Sequence, residues 1–132
     1  MTLPLQFLLA LIAVESGGND LAIGDHGRAV GCLQIHTKLI ADVNQFAGTR
    51  FTPAHRRNRD MSLLICQIYL QHYCTKSRLH REPTLEDAAR IWNGGPNGWK
   101  RASTDAYWSK VSRQLTLKSE RPRDWSPILR PR

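Results

Sequence analysis

Leu5-Gln6-Phe7-Leu8-Leu9-Ala10-Leu11-Ile12-Ala13-Val14 runs directly into Glu15-Ser16-Gly17-Gly18-Asn19-Asp20, and this junction decides the fold class. Only Gln6 interrupts the apolar run, which falls well short of the ~20 residues a membrane-spanning helix needs. A secretory signal would place basic residues ahead of its apolar core, yet the first basic residue is Arg28, so no export signal is expected. The run therefore reads as a buried helix, with Thr2 available as N-cap and Pro4 tolerated in the first turn. The breaker cluster ends it abruptly and leaves Glu15 at its C-terminal end.

Working outward, residues 21–35 carry Gly24, Gly27 and Gly31 around short apolar pieces, the pattern of tight turns with a small β-hairpin at Asp25-His26-Gly27. Leu39, Ile40, Val43, Phe46 and Ala47 recur at helical spacing before the stop at Gly48. The stretch from Arg50 to Arg59 holds arginines and His55 with no acid and reads as a basic surface patch. Asp60 is placed as the cap of a central helix whose apolar face runs through Leu64, Ile65, Ile68, Tyr69 and His72, widened by Leu63, Cys66 and Leu70. Thr84-Leu85-Glu86-Asp87 has the form of a capping box for a helix from Leu85 to Trp92. Thr104 is expected to cap one more helix, with Trp108, Val111 and Leu115 inward. The expected fold is mainly α, a helical core with a small glycine-rich insertion at residues 21–35. Residues 1–117 form the domain, and 118–132 form a basic, proline-containing tail read as extended or mobile.

The chain has 132 residues, enough for one domain with a real core. Hydrophobic residues at 41% and charged residues at 23% exclude a wholly disordered or collagenous chain. Nineteen Lys and Arg against eleven Asp and Glu give a net charge of +8, which suits a polyanionic partner: nucleic acid, an anionic membrane surface or bacterial wall. Cys32, Cys66 and Cys74 make no C-x-x-C pair. If Cys66 and Cys74 share a helix they stand roughly 12 Å apart, beyond disulfide reach, so free thiols are expected. The five histidines form no metal-binding pattern; no metal and no cofactor are expected.

A carboxyl group at the end of an apolar helix is poorly solvated and feels the helix's negative pole, and both effects raise its pKa. Glu15 is thus a candidate general acid. Three blocks follow in order: Glu15-Ser16-Gly17-Gly18; Gly24-Asp25-His26-Gly27 running on to Gly31-Cys32-Leu33-Gln34-Ile35; and Ile91-Trp92-Asn93-Gly94-Gly95. Together they resemble the goose-type lysozyme and soluble lytic transglycosylase superfamily over about residues 5–115. The resemblance implies a lysozyme-like fold and cleavage of the β-1,4 bond between N-acetylmuramic acid and N-acetylglucosamine in peptidoglycan, with Glu15 catalytic. It makes Ser16, Gly31, Gln34, Trp92, Asn93 and Gly95 substrate-binding residues.

The family's usual residue before this Asn is Tyr; Trp92 keeps the aromatic ring but loses the phenol, whose role the indole N–H would have to take. Asp25 matches a family aspartate that helps position water, or simply makes the turn for which Asp-x-Gly is suited. His36 stands where goose-type enzymes often carry another acid. Lysozyme-type hydrolysis is therefore placed only slightly ahead of transglycosylation to 1,6-anhydro ends. A non-catalytic basic module binding glycan or nucleic acid is the reading from another class. The resemblance implies peptidoglycan as partner; no recognised nucleic-acid motif is present, so no nucleic acid is expected, and a monomer is expected. The expected absence of an export signal suggests, by analogy, a bacteriolytic phage endolysin or a secretion-associated enzyme, made in the cytoplasm and acting on the wall after lysis or dedicated export.

Overall fold

The computed structural model describes residues 2–129, with side chains described through 117; where an extended or mobile tail was expected from 118, the last helix instead continues to Leu129. The fold is mainly helical: α1 (Leu5–Ser16), α2 (Thr37–Ala47), α3 (Arg59–Tyr73), α4 (Lys76–Leu79), α5 (Leu85–Gly94) and α6 (Asp105–Leu129), with one two-stranded antiparallel sheet of β1 (Ile23–Gly24) and β2 (Ala29–Val30). Ile23 faces Val30 and Gly24 faces Ala29, and the turn between them is Asp25–Gly27, as expected for the insertion. No helix among the described residues is long and apolar enough to cross a membrane.

α1 is the core's central rod. Phe7, Leu8, Ala10, Leu11 and Ile12 are all buried, so it is covered around much of its circumference, as a run without polar periodicity requires. It packs against α6, which also meets α5. Leu33, Ile35, Val43, Ile65, Leu70, Ile91 and Val111 close the core around it. Pro4 is itself the extended N-cap, its carbonyl taking the N–H groups of Phe7 and Leu8, so Thr2 does not cap and Pro4 stands one place outside the first turn. At the other end Gly17, at φ 67°, supplies the left-handed residue that stops the helix beyond Ser16.

Several local expectations are corrected by polar groups that need partners. Asn58 caps α3, accepting the Met61 N–H at 3.0 Å, while Asp60 sits in the first turn. The inner face of α3 is Ser62, Ile65, Cys66, Tyr69 and Leu70, with Leu64 and His72 exposed. Ser62 takes an inner place because its hydroxyl donates to the buried Arg56 carbonyl at 3.0 Å. The arginine stretch is only partly surface. Arg56 is buried, donating to the carbonyls of Pro53, Arg28 and Ile35, and Arg59 pairs with Asp20 at 2.9 Å and donates to Gly18. α5 has the expected capping box of Thr84 and Asp87 but runs two residues past Trp92, to Gly94. Thr104 does not end up as a free cap: its buried hydroxyl lies 2.8 Å from the Gly98 and Arg101 carbonyls and accepts the Arg90 Nε–H at 2.8 Å. Cys32, Cys66 and Cys74 are all buried, and no disulfide joins any of them among the described residues.

Candidate binding cleft

The C-terminal end of α1, the hairpin turn, the start of α2 and the end of α5 converge on one groove. Its middle is a cavity of about 270 Å³ lined by Glu15, Asp25, Ala29, Gln34, His36, Leu39, Trp92 and Asn93. A chamber of about 850 Å³ shares Asp25 and His36 with it. A recess of about 470 Å³ shares His36, Leu39 and Trp92 with it and adds Tyr69 and Gly95. His36 lines all three.

Glu15 is half-buried in the last turn of α1, and burial pushes its carboxyl up to about 7; hydrogen bonds from Tyr107 and Trp92 pull the other way without cancelling it. The Tyr107 hydroxyl donates to Glu15 Oε2 at 2.9 Å. At neutral pH this carboxyl is thus divided between its acid and anionic forms, so it can donate or accept a hydrogen bond. The Tyr that the resemblance led one to expect before Asn93 is replaced from two directions. The Trp92 side chain bonds the carboxyl, and a phenol arrives from α6.

The remaining residues fall into two groups. Asp25, Gln34, Trp92 and Asn93 share the central cavity with Glu15, and Gly95 lines the neighbouring recess. Ser16 and Gly31 do not line it. The Ser16 hydroxyl lies 2.8 Å from the Cys32 carbonyl, which it can reach as donor, and it accepts from the N–H groups of Gly18 and Asn19, pinning the end of α1 to the loop after β2. Gly31, at φ 91°, lies so close to the Arg56 carbonyl that a Cβ would collide with it, so the glycine answers a packing demand of the protein itself. Gln34 adopts a left-handed backbone at φ 52°, and its amide N–H₂ donates to the Ala22 and Gly31 carbonyls at 3.2 and 3.1 Å. Only its remaining surface faces the cavity. Trp92 is 8% exposed and meets Tyr69 edge to face, so little of its ring is open for stacking. Asn93 is exposed at the cavity wall. Asp25 is held by His36 at 3.3 Å and by Arg28 at 3.6 Å on the rim.

Tyr107 and His36 are the groups that sequence reasoning missed as parts of the site. Tyr107 had a signal, since it lies four residues before Val111 and eight before Leu115, on the face already expected to point inward. His36 had none beyond its place after Gln34. Among the described residues no three His, Cys, Asp or Glu side chains gather as a metal would require.

No family model matches the chain, and no curated protein matches it. Among solved structures, the chain matches one from the crystal structure of Aeromonas hydrophila PliI in complex with Meretrix lusoria lysozyme. The identity is 24% and the TM-score 0.71, over 84% of this chain and 89% of that one. At this identity the likeness carries the fold. That structure is of PliI bound to a lysozyme, and no family model or curated protein supports the motif resemblance to goose-type lysozymes and lytic transglycosylases. The reading as a peptidoglycan glycosidase, hydrolytic or transglycosylating, is corrected against this finding, and with it the enzyme class and the bacteriolytic description.

Proposed function

We propose that the groove around Glu15 is a binding site for a glycan strand built from N-acetylhexosamines, of the kind found in peptidoglycan. The observation that carries this reading is the Glu15 carboxyl itself. It is raised to about 7 and fixed by Tyr107 at the floor of a cavity whose wall also presents the Asn93 amide. Sugar hydroxyls and N-acetyl groups both donate and accept. A half-protonated carboxyl and an amide match them in either sense, and Leu39 and the Trp92 edge offer apolar contact for the ring faces. The net charge of +8 favours an anionic wall as the setting.

The test is co-sedimentation of the protein with purified insoluble peptidoglycan, with the supernatant analysed for soluble fragments. Retention on the intact wall, weakened by Asn93→Ala, is expected. Absence of retention, or release of sugar fragments, overturns the reading. A second reading, that the groove face docks a protein, is favoured by the origin of the structural neighbour in a complex of two proteins. Sedimentation of the chain mixed with a lysozyme tests it.

A further inference from the structure

The 850 Å³ chamber beside the Glu15 cavity differs from it in charge. Arg28, Arg56 and Lys38 line it, with His36 and a single acid, Asp25. That acid is already shared between Arg28 and His36. Lys38 is exposed and has no ion pair among those found for the described residues. Arg56 is buried and its guanidinium donates to neutral carbonyls, so its charge is solvated but not cancelled. Three permanent cations thus face one carboxylate around a space large enough for a sugar substituent. The central cavity has the reverse balance, with Glu15 and Asp25 and no Lys or Arg.

We infer that this chamber, lined by Arg28, Lys38, His36 and Arg56, is a subsite for an anionic group, carboxylate or phosphate, carried by the glycan held in the adjoining cleft. The inference rests on the glycan-binding reading and adds a substrate class to it: the strand is recognised where it bears charge. Attraction between like-placed partners at the edge of solvent is modest for each pair, so the effect is set by two or more cations acting together.

The experiment is calorimetric titration of the full chain with three oligosaccharides of equal length: a neutral N-acetylglucosamine tetramer, a tetramer bearing lactyl carboxylates, and one bearing 6-phosphates. The charged ligands are expected to bind on the order of tenfold more tightly than the neutral one at low salt. A phosphate source is indicated if the phosphorylated tetramer leads, and a carboxylate source if the lactyl one does. The double variant Arg28→Gln with Lys38→Gln, checked for folding by its melting curve, should bring the three affinities together. Equal affinities for the wild-type chain, or a preference untouched by the double variant, overturn the inference while leaving the glycan reading standing. Failure of all three ligands to bind overturns both.

Discussion

Substituting Glu15→Gln should make the protein more stable, and by an amount that depends on pH. The folded state holds this carboxyl at about 7 against an ordinary 4.5, chiefly through burial. Because the folded pKa lies above the unfolded one, the native state binds more protons than the unfolded chain between those values. Stability is therefore lost as pH rises through that window. The span amounts to roughly 3 kcal/mol at pH values above it. Gln conserves the shape and one oxygen to accept from the Tyr107 hydroxyl, but it has no charge to bury. Urea unfolding of both proteins at about pH 4 and pH 8 isolates the effect, since the other titrating groups cancel in the difference. The variant's advantage should grow by about 3 kcal/mol between the two conditions, roughly 10 °C in melting temperature for a domain of this size. A difference that stays constant, or grows toward acid, would refute the placement of Glu15 in a poorly solvated pocket.

Gly31→Ala should destabilise the fold by about 2 kcal/mol or more, because its Cβ meets the Arg56 carbonyl and its φ of 91° is unfavourable to any side chain; chemical denaturation reads this directly. Arg56→Met should cost about 3 kcal/mol by leaving the Arg28 and Ile35 carbonyls without their donor, measured the same way. Burial works against ionisation of Asp87, yet hydrogen bonds from Arg81 and Thr84 outweigh it and hold the group below its ordinary value. The stability this lends is therefore present above the ordinary carboxylate range and lost as pH falls through the depressed value. Asp87→Asn should abolish that acid-side loss in a pH series of melting curves. Retention on insoluble wall should fall as salt is raised from roughly 50 to 500 mM, because a chain of net charge +8 meets an anionic surface through screened contacts.

The sequence made the helical class and the hairpin legible because both are written in local signals. The apolar run 5–14 broken at Gly17 needs no tertiary information to be read as a buried helix, nor does Asp-His-Gly to be read as a turn. Thr84 and Asp87 capped α5 as their spacing implied. What failed was decided by distant partners. Ser62 faces inward to serve a carbonyl supplied by the 53–57 turn, and Arg56 leaves the surface to bridge the Arg28 and Ile35 carbonyls. Glu15 was legible as a raised-pKa group, whereas its bond to Tyr107 joins residues far apart in the chain. Gly31 looked like a place for a ligand to approach the backbone, and it is Arg56 that approaches. Motif order brought Glu15, Gln34 and Asn93 to one cavity, but a shared cavity does not specify chemistry.

The claim that the Glu15 groove holds an N-acetylhexosamine glycan is tested most directly by a ¹⁵N–¹H titration of the protein with an N-acetylglucosamine tetramer. Saturable shifts are expected at the Trp92 indole N–H, the Asn93 side-chain amide and the Gly95 backbone N–H, all on the walls of the central cavity and its recess. No saturable shifts, or shifts gathered on a surface away from these groups, would contradict the claim.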